Sequence, residues 1–192
     1  MEDRLSYIET YLTETKKISD SLSREKLVNF TRAISSLKKN NGRLFILGVG
    51  GSAANASHAV NDFRKICGIE SYTPTDNVSE LTARINDESW EDVFKNWLIG
   101  SKLTSTDALL VFSVGGGSVN TSQNLVKAMN LAKEKNAKII SIVSRNGGAA
   151  KELSDVCIHI PVVTDSRITP HAEGWQAVVW HMIVSCVAAD NQ

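Results

Sequence analysis

Five short apolar segments, separated by stretches with helical periodicity, constrain the fold of this chain more than any other feature. The segments are RLFILG (43–48), IESYT (69–73), ALLVFS (108–113), KIISIV (138–143) and VCIHIP (156–161). Continuous apolar strands that alternate with helices are typical of a parallel sheet covered on both faces. The sequence therefore predicts an α/β fold with a five-stranded parallel sheet. The helices between and after the strands are expected at 53–66, 78–100 with a break near 87–89, 118–135, 147–154 and 172–188.

A helical segment without glycine or proline precedes the first strand and occupies residues 1–40. Its apolar residues recur at helical spacing, which predicts two amphipathic helices at about 2–19 and 24–39, with Ser23 as the N-cap of the second. The apolar face of these two helices must be buried against the same domain or against another subunit, and we favour self-association. We therefore expect a single domain, 1–192, with an oligomerisation arm at 1–40 and an α/β core at 43–192.

The composition argues against several classes of function. Lys+Arg and Asp+Glu are both 21, whereas a nucleic-acid binder usually has a basic excess, so we expect no nucleic-acid partner. No apolar stretch approaches the ~20 residues that span a bilayer, and the N-terminus lacks a signal-peptide pattern, so we expect no membrane association. The three scattered cysteines indicate reduced thiols, which predicts a cytoplasmic protein.

Two glycine-rich loops follow strands and precede predicted helices. The first, GVGGS (48–52), places glycines before a helix N-terminus, where unpaired N–H groups favour a phosphate. Its spacing also satisfies the dinucleotide fingerprint GxGxx[GA], and a tight turn is the alternative without function. The second, SVGGGSVNTS (113–122), adds hydroxyl groups beside three consecutive glycines. Because the carboxyl ends of parallel strands meet at one edge, two such loops favour a phosphorylated sugar over a dinucleotide.

Imidazole and carboxylate groups share helical faces near these loops. His58 and Asp62 are one turn apart on the helix that follows the first loop, and Glu173 and His181 are eight residues apart on the C-terminal helix. If the two helices meet, the four side chains form a donor set suited to Zn²⁺, Ni²⁺ or Fe²⁺. Surface, capping or half-buried structural histidines are the alternatives. His159 is expected to be structural, whereas His171 is expected close enough to reach the site.

These motifs resemble a known family. GVGGSAANASHAVND is similar to the GNGGSAADAQHxAAE signature of phosphoheptose isomerases in the sugar isomerase (SIS) family. The resemblance extends to DNVSELTARINDESWEDVF (76–94), to SVGGGSVN in place of the STSGNSxN loop, and to the leading and C-terminal helices. It implies a flavodoxin-like SIS fold and a cytoplasmic homotetramer with active sites at subunit interfaces. It also implies isomerisation of sedoheptulose 7-phosphate to D-glycero-D-manno-heptose 7-phosphate through an enediol.

The resemblance also implies roles for individual residues. It assigns the acid and base roles to Asp62 and His181. It assigns a bound divalent metal ion, zinc in that family, to His58, Asp62, Glu173 and His181. The residues expected to contact the phosphate or the sugar are Gly50, Gly51, Ser52, Asn55, Asn77, Ser113, Gly115, Gly116, Ser118, Asn120 and Glu173.

Several of these positions depart from the family pattern. Asp62 and Glu173 replace a glutamate and a glutamine, Val114 and Gly115 replace two hydroxyl residues of the phosphate loop, Gly117 replaces an asparagine and Asn77 replaces an aspartate. The alternative functions are an isomerase of another sugar phosphate and a non-catalytic SIS module that binds a sugar phosphate or a protein partner.

Overall fold

A computed structural model describes residues 2–189 of the chain and contains one sheet of five parallel strands. Met1 and residues 190–192 of the predicted domain lie outside the described residues. The strands are β1 (Leu44–Leu47), β2 (Ser71–Tyr72), β3 (Ala108–Ser113), β4 (Lys138–Val143) and β5 (Val156–His159). Each strand lies within one of the five apolar segments, and β1, β2 and β5 are shorter than their segments.

Eight α-helices surround the sheet in the described part of the chain. They are α1 (Glu2–Ser21), α2 (Arg24–Lys39), α3 (Gly51–Lys65), α4 (Val78–Asp87), α5 (Val93–Gly100), α6 (Gln123–Glu134), α7 (Gly148–Leu153) and α8 (Ile168–Ala189). Single turns of 3-10 helix precede α4 and α8. Among residues 2–189, no helix combines the length and the apolar character needed to cross a membrane.

The strand order is β2-β1-β3-β4-β5 with every neighbour parallel, which confirms the predicted α/β class. This is the flavodoxin-like order, in which chain direction across the sheet reverses between β1 and β3. Both glycine loops leave the carboxyl ends of these two strands, since they begin after Leu47 and at Ser113. They therefore lie side by side at the position where open parallel sheets bind ligands.

Alternate residues of the strands pack into two separate hydrophobic layers. Leu44 and Ile46 of β1 belong to the layer that contains α2, α3 and α8, whereas Phe45 and Leu47 belong to the layer with α5 and α6. Burial of every β1 residue explains why this strand is continuously apolar.

The two N-terminal helices differ in how they are packed. Ser23 caps α2 by accepting a hydrogen bond from the Lys26 N–H, and α2 buries Phe30 and Ile34 against the sheet. Most of the apolar residues of α1 stay exposed, including Leu5 and Leu12, which are 58% and 62% exposed. The apolar residues of α2 are thus buried on its own domain, and the exposed apolar residues of α1 are the part of the arm that stays uncovered in one chain.

The largest differences from the predicted helix boundaries are at the starts of α6 and α8, which were predicted at residues 118 and 172. Residues 118–121 form a tight turn closed by a bridge between Ser118 and Thr121, so α6 begins only at Gln123. Helix α8 begins at Ile168, and Pro170 is tolerated because the first turn of a helix needs no N–H donors. The second glycine loop, 113–122, therefore lies outside the helix over its whole length, and α6 begins directly after it.

Candidate active site

Helices α3 and α8 run alongside each other and hold the predicted imidazole and carboxylate groups. The amide Nδ2 of Asn55 donates to the carbonyl oxygen of Glu173 at 2.9 Å and to Oε1 of Gln176 at 3.0 Å. Further along, the Cys67 thiol lies 3.5 Å from the carbonyl oxygen of Val184. Because low numbers on α3 meet low numbers on α8, the two helices are parallel, and positions 58 and 62 face position 181.

Three of the four predicted metal ligands converge where α3 faces α8. The ligand atoms of His58, Asp62 and His181 all lie within 4.8 Å of one another. Oδ2 of Asp62 is 3.7 Å from Nε2 of His181 and 3.9 Å from Nε2 of His58. These separations are longer than hydrogen bonds, so these atoms are close to one another without being hydrogen-bonded to one another.

The surroundings of the cluster orient its members. Nδ1 of His181 donates to the carbonyl oxygen of Ala177 at 2.8 Å, which fixes the tautomer and leaves Nε2 with a free lone pair toward Asp62. The Asp62 side chain is largely buried, and its Oδ1 accepts a 2.8 Å hydrogen bond from Asn61. Both imidazole rings contact the buried ring of Trp180, with centroid distances of 3.4 Å for His181 and 4.8 Å for His58. The arrangement can hold a divalent cation or move a proton.

Glu173 lies apart from this cluster, two turns earlier on α8. Its carboxylate packs over the first turn of α3, where a Cβ added to Gly51 would lie 2.4–2.7 Å from the carboxylate atoms. A glycine at position 51 is therefore needed for this contact. Within one chain, Glu173, the predicted fourth ligand, therefore lies at the end of the α3–α8 interface that is next to the first glycine loop.

A cavity of about 410 Å³ opens at the carboxyl ends of β1 and β3. Its volume is typical of sites for small molecules. The residues that line it come from both glycine loops, the end of β3, the loop after β4 and the first turn of α8. They are Val49, Ser52, Phe112, Ser113, Val114, Gly115, Gly117, Ser118, Thr121, Ser122, Arg145 and Thr169.

Four of the predicted sugar-phosphate residues line this cavity: Ser52, Ser113, Gly115 and Ser118. Two of their hydroxyl groups also organise the second loop, because Oγ of Ser113 accepts from the Gly116 N–H at 3.0 Å and Oγ of Ser118 accepts from the Asn120 N–H at 3.2 Å. Gly116 itself is buried against the next loop, where an added Cβ would lie 1.9 Å from the carbonyl oxygen of Gly147.

The other predicted contact residues lie outside the cavity lining within one chain. Gly50 and Gly51 lie at the N-terminus of α3, and Asn55 connects α3 to α8. Asn77 caps α4 by accepting from the Glu80 N–H at 3.2 Å, and it lines a separate cavity near β2. Asn120 is exposed at the tip of the second loop.

The expectation that His171 reaches the site is wrong. His171 is buried against α1, where its Nε2 lies 2.8 Å from Oε2 of Glu14, and Arg167 donates to the same carboxylate. These hydrogen bonds, first that of Arg167 and then that of His171, lower the pKa of Glu14 to about 2. His171 therefore joins the start of α8 to the N-terminal helix.

Sequence reasoning missed Arg145 and Thr169 as cavity residues. Arg145 belongs to a third glycine-containing loop, SRNGG (144–148), which follows β4 as the other two loops follow β1 and β3. The sequence could have revealed Arg145, because a glycine-containing loop follows β4 as such loops follow β1 and β3. It contains no comparable signal for Thr169, because α8 was expected to begin only at residue 172.

A model described as the SIS domain matches residues 6–144, which is more than half of the chain. Among curated proteins, the chain is similar to lincomycin biosynthesis protein LmbN of Streptomyces lincolnensis, with 30% identity over 97% of this chain and 70% of the relative. It is also similar to the phosphoheptose isomerase of Helicobacter pylori strain P12, with 30% identity over 90% of this chain and 87% of the relative.

The solved structures show the same architecture. The phosphoheptose isomerase GmhA of Neisseria gonorrhoeae superposes with a TM-score of 0.83 over 98% of both chains. At 23% identity, this likeness concerns the fold.

Proposed function

We propose, from the premise that this chain belongs to the SIS domain family, that it is a phosphoheptose isomerase. In this proposal it converts sedoheptulose 7-phosphate to D-glycero-D-manno-heptose 7-phosphate, an aldose–ketose isomerisation through an enediol. The observation that carries the proposal is the placement of two features along the packed helices α3 and α8. A hydroxyl-rich cavity lies beside their first turns, and the cluster of His58, Asp62 and His181 lies further along.

The distance between the two ends suits an extended sugar phosphate. Ser52 lines the cavity and His58 follows it six residues later on the same helix, which corresponds to about 9 Å at ~1.5 Å per residue. A ketose held by its terminal phosphate in the cavity would therefore reach the cluster with its carbonyl end. Ser52, Ser113 and Ser118 would bind the phosphate and the nearby hydroxyl groups.

Asp62 and His181 supply the proton transfers in this proposal. Asp62 removes the proton from C1 of the ketose, and the electron pair forms the enediol while the carbonyl oxygen gains a proton from His181. Loss of the O1 proton and return of a proton to C2 then give the aldose. The burial of Asp62 supports its role as the base, and the bond of His181 Nδ1 to the Ala177 carbonyl orients Nε2, from which the imidazolium form donates the proton.

The donor set also suits a divalent metal ion, and zinc is our first candidate. Two imidazoles and a carboxylate whose ligand atoms lie close together match the ligands that zinc prefers, and the Ala177 carbonyl orients His181 as metal-bound histidines are usually oriented. His58, Asp62 and His181 would hold the ion. Because Glu173 lies apart from them in one chain, we propose that the fourth ligand is the Glu173 of a neighbouring subunit. When bound, the ion would stabilise negative charge on the sugar oxygens.

We further propose a homotetramer with active sites at subunit interfaces, located in the cytoplasm. The exposed apolar residues of α1 support burial against another subunit, and so does the half-exposed state of His58 and His181. The three free cysteines support a reducing compartment. In this proposal the division of the domain, 1–192, into an arm and a core is kept, with α1 as the contacting part of the arm.

An isomerase of a different ketose phosphate is the second candidate. It is supported by the 30% identical relative that is named for lincomycin biosynthesis, because the similar proteins are not confined to phosphoheptose isomerases. Val114 and Gly115 also give the cavity fewer hydroxyl groups than a serine- and threonine-rich loop would.

The deciding experiment incubates the purified full chain with sedoheptulose 7-phosphate and follows the anomeric NMR signals of the aldoheptose phosphate. We expect turnover that is lost after chelation and restored by zinc. Turnover of other ketose phosphates in place of this one would favour the second candidate. Binding of sugar phosphates without turnover of any of them, with and without added metal, would replace the isomerase by a non-catalytic SIS module.

A further inference from the structure

The loop after β4 packs tightly against the second glycine loop. The N–H groups of Ala149 and Ala150 donate to the carbonyl oxygens of Gly117 and Gly116, both at 2.9 Å. A Cβ added to Gly148 would lie 2.3 Å from the Gly117 carbonyl oxygen. The two loops therefore form one rigid unit, and a residue of the third loop has a fixed position relative to the cavity.

Arg145 is held in this unit by an unusual backbone conformation and by a histidine. Its φ of +51° lies in the left-handed region, which is strained for a residue other than glycine. The Arg145 carbonyl oxygen accepts a 2.7 Å hydrogen bond from Nε2 of His159, the last residue of β5. His159 thus stabilises the conformation that directs Arg145 to the cavity.

The side chain of Arg145 supplies the positive charge of the cavity. Arg145 is the only charged residue among the described residues that line the cavity. None of the ion pairs within residues 2–189 includes Arg145, so its guanidinium has no carboxylate partner there. Gly115 keeps the space beside it open, since an added Cβ there would lie 3.8 Å from Cδ of Arg145 and a longer side chain would fill that space.

The N-terminus of α3 is the other position that could attract a phosphate, but a carboxylate already lies beside it. The first turn of α3 would attract a phosphate through its unpaired N–H groups. Glu173 places its own carboxylate over that turn, beside Gly51. A phosphate dianion would meet this negative charge at the α3 end and a guanidinium at the second loop.

We propose that Arg145 binds the phosphoryl group of the substrate and that His159 is the residue that positions it. The proposal rests on the proposed function and names the residue that gives the phosphate subsite its charge. A guanidinium can donate two parallel hydrogen bonds to a phosphoryl group, which compensates for the absence of hydroxyls at Val114 and Gly115.

The first test measures binding of inorganic phosphate to the full chain by ³¹P NMR titration, so that it does not depend on turnover. Arg145→Gln should weaken binding by about 10- to 100-fold, as expected for a charged hydrogen-bonding partner. Lys151→Gln, an exposed charge loss on the adjacent α7, is the matched control and should bind as the wild type does. Equal affinity of the wild type and Arg145→Gln, or no phosphate binding by the wild type, would overturn the proposal.

The second test separates positioning from folding. His159→Leu removes the donor to the Arg145 carbonyl oxygen, whereas His159→Gln keeps an N–H donor at this position. We expect His159→Leu to weaken phosphate binding and raise KM with kcat little changed, and His159→Gln to restore both values. If both variants match the wild type, or if both fall equally, His159 has no positioning role.

The two proposals fail in different ways. If the wild type binds phosphate through Arg145 but does not isomerise sedoheptulose 7-phosphate, the isomerase proposal fails and the subsite stands. If the wild type isomerises it and Arg145→Gln keeps the wild-type KM and phosphate affinity, the subsite fails and the isomerase stands.

Discussion

Replacement of Asp62 by asparagine should abolish turnover and leave the fold intact. The substitution preserves the size of the side chain and the oxygen that accepts the 2.8 Å hydrogen bond from Asn61, but it removes the negative charge. In the native chain this charge lies 3.7 Å and 3.9 Å from the Nε2 atoms of His181 and His58. A unit positive charge about 4 Å away is stabilised by at most about 4 kcal/mol at an effective dielectric constant of ~20.

That energy corresponds to roughly three decades in kcat, because each ~1.36 kcal/mol changes the rate tenfold. Loss of a general base gives a similar range, about 10² to 10⁴. The two routes overlap at a fall of roughly a hundredfold to a thousandfold, whether the carboxylate takes the proton or stabilises a neighbouring cation.

The assay is the NMR measurement of aldoheptose phosphate, with thermal unfolding to verify the fold. Asp87→Asn is the matched control, because Asp87 is also a helical aspartate that accepts a 2.8 Å hydrogen bond from the preceding asparagine. It is exposed and lies outside the cluster, so its loss of charge should leave kcat unchanged. A kcat for Asp62→Asn within threefold of the wild type would remove Asp62 from the chemistry.

Two further predictions concern stability. The buried carboxylate of Asp107 accepts hydrogen bonds from Arg43 and Thr104, so Asp107→Ala should lower the free energy of unfolding by about 3 kcal/mol in urea titrations; an unchanged midpoint and slope would contradict this reasoning. Because Arg167 holds the pKa of Glu14 near 2 instead of its ordinary 4.5, that stabilisation is complete above pH 4.5 and is lost as the pH falls toward 2. Melting temperatures should fall across this window in the wild type and less steeply in Glu14→Gln, and parallel curves for the two proteins would refute it.

The sheet could be predicted from the sequence because it depends on local signals that tertiary structure did not override. Strands buried on both faces must be continuously apolar, and such runs are short and bounded by polar turns. The helix boundaries were less predictable where a turn competes with the start of a helix over the same residues. Helix α6 starts late because the turn at 118–121 is closed by its own bridge, and the hydroxyl-rich sequence there also suits a helix N-terminus.

Part of the site could be predicted because helical spacing fixes which side chains share a face. His58 and Asp62 are one turn apart, and they met His181 once α3 packed against α8. The role of His171 could not be read in this way. Its partner Glu14 is 157 residues away in the chain, and nothing near either residue indicates the pairing.

The packing of α3 against α8 also explains why Glu173 separates from the cluster that spacing alone predicted. Eight residues advance a helix by about 12 Å, so Glu173 and His181 face different turns of any helix that runs parallel to α8. Glu173 meets Gly51 and His181 meets Asp62, eleven residues later on α3. A shared helix face is therefore necessary for convergence but does not produce it. Under the proposed function, this separation gives the α3–α8 interface one end for the phosphate and another for the carbonyl group, and Asn55 and Gln176 join the helices between them.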